Sequence, residues 1–542
     1  MQTEERFPPG TQRIEDNQGD HVVLAPQPPA DPNHPLNWSK LRKGVHMTLL
    51  SLYTLLVFAI LCVSVPLWQK LNEELGMSYE DLNNGYATNM ATLALGCIFF
   101  VPLAHRYGRR PVYIVTALVM FGCAIWQARQ QTVGDMIGVN ALSGLAGAVN
   151  EALFQVTVCD LFFVHQRGTL NGLYMAAVYT GNYLGPVAAG YVAVSQPWRW
   201  VFWYCTIFMG IVSLAMVFAL EESKYIPVTV GVRPVVTEHT NIGADNTPDD
   251  KSKSPTGDLL TEISSTATAA DDKRIRLVPI DTTIPTNSYW KRHAFITKSD
   301  SIHLTAHDIY RHVIQPFQIL ITFPAVMFTA LQYGFLIAML GVLAVTQASL
   351  YALPPYNFST AGIGNMNIPP AVGAILGAAF GGPLNDLFIL GVAKRRKGIY
   401  EPETRLWLFM VPGVCMPLGL LLYGLTISKG MHWAYNAVGA GFIGAAIGGC
   451  GDISLTYCQD CYQDIIGDAL TSVVFVRNAI STALVFAVTP WMTGMGVFNM
   501  FIMLGCLGLA VALTCVPLII WGRRWRIRLA GRYEYFAMRQ LA

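Results

Sequence analysis

Residues 101 to 110 read Val101-Pro102-Leu103-Ala104-His105-Arg106-Tyr107-Gly108-Arg109-Arg110. This basic turn joins two apolar runs, 81–104 and 111–128. Crossing a hydrocarbon core of about 30 Å takes about 20 apolar residues at about 1.5 Å each, and both runs are of that order. Glycine at 108 frees the backbone for a tight reversal. Arginines hold such a turn in water on one side of a membrane. The stretch therefore reads as two antiparallel membrane helices joined by a charged turn.

Working outward, six such runs come first (45–68, 81–104, 111–128, 133–158, 168–194, 198–220) and six follow (316–344, 364–390, 406–427, 433–457, 469–488, 496–521). The expected fold class is an all-α polytopic membrane protein with twelve transmembrane helices in two six-helix halves. The expected order is an N-terminal tail over 1–44, a bundle over 45–220, a linker over 221–312, a second bundle over 313–521 and a basic tail over 522–542. Between 237 and 272 the linker has no aromatic residue and is rich in Ser, Thr, Asp and Pro. It buries too little to fold alone and is expected to be largely disordered. Residues 288–309 carry Tyr289, Trp290 and Phe295 and read as a short interfacial helix leading into the seventh span.

Composition narrows the function. Of 542 residues, 53% are hydrophobic and 13% charged, with mean hydropathy +0.40, whereas soluble domains carry about 25% charged residues. That argues against a soluble enzyme and against a disordered chain. The net charge, 36 − 34 = +2, gives no reason to expect a nucleic-acid partner. Eleven cysteines are too few for a disulfide scaffold, and most sit in apolar runs as small hydrophobes. Cys458 and Cys461 form a C-x-x-C with no second Cys/His pair nearby, so no metal site is expected. No P-loop, H-E-x-x-H or G-x-S-x-G is present, which leaves an ATP-driven pump, a zinc protease and a serine hydrolase without support. Residues 1–22 hold Glu4, Glu5, Glu15 and Asp16 and no apolar core, so they do not read as a signal peptide.

Lys and Arg are unequally shared between the two sets of loops. One set holds Lys40, Arg42, Lys43, Arg106, Arg109, Arg110, Arg167, Lys394, Arg395, Arg396 and Lys397, with Arg523, Arg524, Arg526 and Arg528 in the tail. The other holds Lys70, Arg129, Arg199 and Lys429. Both termini and the linker are therefore expected in the cytosol. Asn357-Phe358-Ser359 is an outward-facing candidate for glycosylation.

The 101–110 turn resembles the major facilitator superfamily signature G-x-L-A-D-R-x-G-R-R at Leu103, Ala104, Arg106, Gly108, Arg109 and Arg110, and departs from it at Val101 and His105. Gly382-Pro-Leu-Asn-Asp386, followed by 394–397, echoes it in the second half, as expected of a transporter built from repeats. In the family this loop latches the halves in the outward-facing state. The resemblance implies a latch of Arg106, Gly108, Arg109, Arg110, Asp160 and Asp386, with Asp160 pairing Arg106 or Arg109 and His105 a weak member. Gly181-x-x-x-Gly185-Pro186-x-x-x-Gly190 resembles the antiporter motif of drug:proton exporters. Asp31-Pro32…Pro35-Leu36-Asn37-Trp38-Ser39 and Trp198-Arg199-Trp200-Val-Phe-Trp203 resemble segments of fungal members. An arginine that related exporters carry early in the fourth span is replaced here, in Asn140-Ala-Leu-Ser-Gly144.

Charges inside a membrane point to function. Glu151 falls in the fourth span, Asp452 in the tenth and Arg477, next to Asn478, in the eleventh. Glu151 and Asp452 follow similar glycine-rich stretches, so two repeat-related acids are expected at one central cavity. A purely structural pairing of Asp452 with Arg477 is the bland alternative. Asn89, Gln332 and Tyr333 complete the candidate substrate- or proton-binding set.

The resemblance implies a secondary transporter rather than an enzyme, driven by a proton gradient with no bound cofactor. Efflux of a drug, toxin or secondary metabolite across the plasma membrane is the first expectation. Uptake of polyamines or other organic cations is the alternative, and a non-transporting sensor is an alternative of another class. The expected partners are the lipid bilayer and a small-molecule substrate, with the chain monomeric.

Overall fold

The computed structural model describes residues 8–13, 31–162, 164–224, 286–293, 306–395 and 399–541. The linker stretches 225–285 and 294–305, including 237–272, lie outside the described residues, as do 1–7 and 14–30 of the N-terminal tail. What is described is almost entirely helical.

In the first half, α1 is Lys40–Cys62, α2 Tyr79–Tyr107, α3 Arg109–Arg129, α4 Val133–Leu161 and α6 Arg199–Ala219. Between α4 and α6, α5 runs through Val164–Tyr179, a π-helical turn at Thr180–Leu184 and Gly185–Ser195. In the second half, α7 is Pro324–Leu350, α9 Glu403–Ser428 and α10 Trp433–Cys461. Here α8 runs through Thr360–Asn365, Ile368–Ala379, a π turn at Phe380–Leu384 and Asn385–Arg395. The long helix Ile466–Leu513 is broken at Gly496, which has φ 78°, into α11 over 466–495 and α12 over 497–513. Among the described residues, ten helical stretches are long and apolar enough to cross a membrane. The last of them holds both α11 and α12, and α5 supplies the remaining crossing, giving the twelve expected.

Local chemistry sets the ends of these helices. Ser78 and Thr132 form capping boxes with Asp81 and Asp135 at the starts of α2 and α4. Proline marks several of the irregularities. It removes a donor and crowds the carbonyl four residues back, and π turns precede Pro186 and contain Pro383. The expected seventh span, 316–344, differs from the structure for the same reason. Pro324 starts α7, and Pro316 lies in a separate helix, Ala306–Thr322. Of the expected interfacial helix over 288–309, the described residues give only the single turn Tyr289–Arg292 and the start of Ala306–Thr322, and 294–305 lie outside them. The basic tail is itself a helix, α13, Cys515–Leu541.

Glycine lets these helices touch backbone to backbone, which is how membrane bundles gain contact without a hydrophobic drive. A Cβ at Gly373, Gly377 or Gly448 would stand 2.1–2.2 Å from a carbonyl oxygen across the α8–α10 contact.

The two halves meet firmly on the side opposite the chain termini. There Asn83 Nδ2 of α2 donates to the Val485 carbonyl of α11 at 3.0 Å, and Asn365 Nδ2 of α8 donates to the Tyr191 hydroxyl of α5 at 3.0 Å. The glycine motif of α5 divides its work. Gly181 and Gly185 lie against α1, whereas Gly190 lies against Thr360 of α8, where a Cβ would come within 2.7 Å of the carbonyl.

Candidate functional site

Two of the charges expected inside the spans come together. Glu151 on α4 and Arg477 on α11 form an ion pair, each with about 6% of its side chain exposed. Asn478 Nδ2 donates to the same carboxylate oxygen at 2.8 Å, and Arg477 Nε donates to Asn478 Oδ1 at 3.2 Å. The Arg477 guanidinium lies 5.1 Å from the centre of the Tyr333 ring of α7, within cation–π range. The pair joins the halves, because α4 belongs to the first and α11 to the second. Removing either member of a buried pair strands the other, at a cost of about 3–5 kcal/mol.

Other expected members fall elsewhere. Asn89 is fully buried between α2 and α4, where its amide nitrogen donates to the Asn140 carbonyl and Ser143 Oγ, both at 3.1 Å. It fastens one half internally and is not in the central group. Gln332 is buried on α7 beside Tyr333, and its Oε1 has no hydrogen-bond partner among the described residues.

Asp452 is not the partner of Arg477. It packs against the π turn of α8, where a Cβ on Gly382 would lie 3.2 Å from its carboxylate. The repeat register explains this. Both α4 and α10 have 29 residues, starting at 133 and 433. The counterpart of Glu151 is therefore Gly451, and Asp452 is one residue further, rotated by about 100°. Gly451 faces Tyr333, with its nearest ring atom 3.3 Å from where a Cβ would be.

The signature turn is built as its residue types suggest. Gly108 has φ 107°, and a Cβ there would strike the Glu222 carboxylate at 2.3 Å. That carboxylate accepts the Arg109 and Arg110 backbone N–H groups at 2.9 and 3.1 Å, so an acid beyond α6 caps the start of α3. Arg109 Nε donates to Asp160 at 3.1 Å. Asp160 lies beyond the apolar span, which ends at Val158. Burial pushes its carboxyl up to about 6, opposed by the pull of Arg109. Arg110 donates to the carbonyls of Leu220, Val217 and His293. Arg106 is exposed and lies over the Tyr107 ring. The side chain of His105 is outside the described residues.

The second half carries a matching cluster. Arg405 near the start of α9 donates to Asp386 at 2.9 Å and to Asp460 at 2.5 Å. Asp460 is the penultimate residue of α10, as Asp160 is of α4. Glu403 receives a bidentate contact from Arg526 of α13, at 2.9 and 2.6 Å. These latch pairs stay within one half each, unlike Glu151–Arg477. Arg405, Asp460, Glu222, Glu403, Arg526 and Asn478 were absent from the sequence-derived set, although the matching penultimate positions of Asp160 and Asp460 gave a readable signal for one of them. Asn357, the candidate sequon residue, sits at φ 48° in the loop joining α7 and α8. Cys458 and Cys461 are buried at the end of α10.

Comparison with known proteins agrees with this architecture. A peptide transporter of the POT type, solved in complex with alafosfalin, superposes with a TM-score of 0.59 over 92% of this chain and 98% of its own, at 11% identity. That likeness concerns the fold alone. An uncharacterized MFS-type transporter of Schizosaccharomyces pombe, C1271.10c, is 33% identical across 95% of this chain and 90% of its own. Protein HOL1 of Saccharomyces cerevisiae is 30% identical across 93% and 90%. The efflux pump radE of Floropilus chiversii is 24% identical across 93% and 85%. The Major Facilitator Superfamily pattern itself matches residues 47–490. With twelve helices in two halves, the signature turn and these relatives in agreement, the chain belongs to the Major Facilitator Superfamily and is a multi-pass membrane transporter.

Proposed function

We propose that the chain is a proton-coupled secondary transporter that carries a small organic compound outward by alternating access. The observation that carries the reading is the Glu151–Arg477 pair, a buried charge contact between the halves that must move when they rock. Protonation of Glu151 removes its charge and with it the hold on Arg477. In this reading that change weakens the contact between the halves and so favours their separation. Loss of the proton restores the pair. Outward transport draws support from the relative named as an efflux pump. The excess of Lys and Arg in the turns on the side of the termini supports a cytosolic location for the termini and linker, and the plasma membrane is the proposed location. In that orientation, the firm α2–α11 and α5–α8 contacts seal the outer side.

A second reading, uptake of organic cations such as polyamines, has one observation in its favour. Asp452 forms no ion pair among the described residues, and the residue before it, Gly451, lies against the Tyr333 ring. A carboxylate near an aromatic ring suits an ammonium group. Glu151 does not add to that attraction, because Arg477 already neutralises it.

Accumulation assays in cells lacking or overproducing the protein separate the readings, using labelled hydrophobic drugs, weak acids and polyamines. The first reading expects overproduction to lower drug accumulation several-fold, with the effect abolished by collapsing the proton gradient. Raised polyamine accumulation instead selects the second. No change for any compound in correctly delivered protein contradicts both.

A further inference from the structure

The N-terminal segment Pro8–Arg13 is joined to the first half through residue 31, yet its contacts lie on the second. Gln12–Arg13 pairs antiparallel with Ile399–Tyr400, in the register Gln12 to Tyr400 and Arg13 to Ile399. Gly10 has φ 82° and lies so close to the end of α10 that a Cβ would stand 2.5 Å from the Asp460 carbonyl and 2.9 Å from Cys461 Cα. Arg526, 1% exposed, turns one edge of its guanidinium to Glu403. Its Nη1 donates to the Pro9 carbonyl at 2.5 Å and to Thr11 Oγ1 at 3.1 Å.

Those two acceptors both come from the segment. Without it, the Nη1 group of Arg526 loses both of the acceptors it has here. The surface formed by the α8–α9 connection, the end of α10 and α13 is therefore incomplete on its own. A glycine is required where the segment crosses the end of α10, because any Cβ at 10 would face both a positive φ and a collision.

We propose that Pro8–Arg13 is a built-in docking peptide that clips the N-terminus of the chain onto the second half, on the side of the chain termini. Arg526 acts as its receptor, and the clip braces the Arg405–Asp460 contact. It also gives the chain a connection between the halves besides the central linker. The chain's own leading segment is the occupant, because the edge pairing, the glycine contact and the Arg526 acceptors all fit this one hexapeptide.

The test places a photo-crosslinking amino acid at Gln12 of the full-length protein in membranes and maps the products by mass spectrometry. The clip predicts crosslinks to peptides spanning 399–405, 460–462 or 526. Adding Gly10→Val should cut that yield at least tenfold. A synthetic peptide of residues 1–20 in excess should compete, and its Gly10→Val version should not. Because the peptide variant is independent of the protein's folding, it keeps the test decisive if the full-length Gly10→Val chain is unstable. Crosslinks confined to the first half, unchanged yield in Gly10→Val, or equal competition by both peptides would each overturn the proposal.

Discussion

The termini sides of the two halves solve one problem with opposite arrangements of charge. In the first half, an acid beyond α6, Glu222, caps the backbone at the start of α3. In the second, an arginine beyond α12, Arg526, grips Glu403 in the first turn of α9. Both halves tie an arginine near the start of the third or ninth helix to the penultimate acid of the fourth or tenth. The second half adds Asp386 to that arginine and buries its further pair almost completely. The repeat thus preserves positions and contacts but not the sign of each charge. Arg405 has two carboxylates and Arg109 has one, so the second cluster should be the harder to disturb and the more damaging to break.

The largest effect that sharpens this contrast is expected from Arg526→Leu. It strands the buried Glu403 carboxylate and should cost about 3–5 kcal/mol, read as a marked fall in Tm of the purified protein. Its counterpart, Glu222→Gln, keeps an acceptor for the α3 start and should cost about 1 kcal/mol or less. Comparable losses from the two would erase the proposed asymmetry.

Next in size are the latch arginines. Arg405→Ala should slow transport more than Arg109→Ala, because it releases Asp386 and Asp460 together. Turnover per surface-delivered molecule gives the ranking, and a greater loss from Arg109→Ala would reverse it.

A smaller effect concerns pH. The Asp160 carboxyl is held up at about 6 by burial. A raised acid favours the fold while protonated, and that contribution is lost as pH climbs from about 4 through about 6. Asp160→Asn lacks this loss, so its Tm relative to the parent protein should rise across that window and level off above it. A Tm difference that is flat from pH 4 to 7 contradicts the assignment.

The smallest effects should come from His105→Ala and from deleting 237–272, since a shorter loop changes closure entropy only slowly. Specific activity in delivered protein should stay near normal for both. A large loss in either would give that region a role beyond connection.

Much of this was legible in sequence because the membrane imposes length and polarity on every span. Twelve runs, the signature turn and the close approach at Gly181, Gly185 and Gly190 follow from residue types at fixed spacing, whereas the family resemblance implied only that Asp160 pairs Arg106 or Arg109, and the structure selects Arg109. Partners distant in the chain were not legible. Nothing near Arg477 indicates whether it meets Glu151 or Asp452, and a rotation of one residue in α10 decides it. Asn89 looked available for cargo because an amide in a span reads the same whether it faces a cavity or another helix. The docking of residues 8–13 leaves no periodic trace, because a hexapeptide with two prolines and a glycine carries no repeat to read.

The central claim, that Glu151 couples the movement of the halves to protons, is tested most directly by Glu151→Gln in protein shown to reach the membrane intact. Glutamine keeps the shape and accepts a hydrogen bond from Arg477 but does not titrate. Gradient-driven transport should be lost, while exchange of cargo down its own gradient persists with little dependence on pH. Gradient-driven transport with unchanged pH dependence in the Glu151→Gln protein would contradict the account.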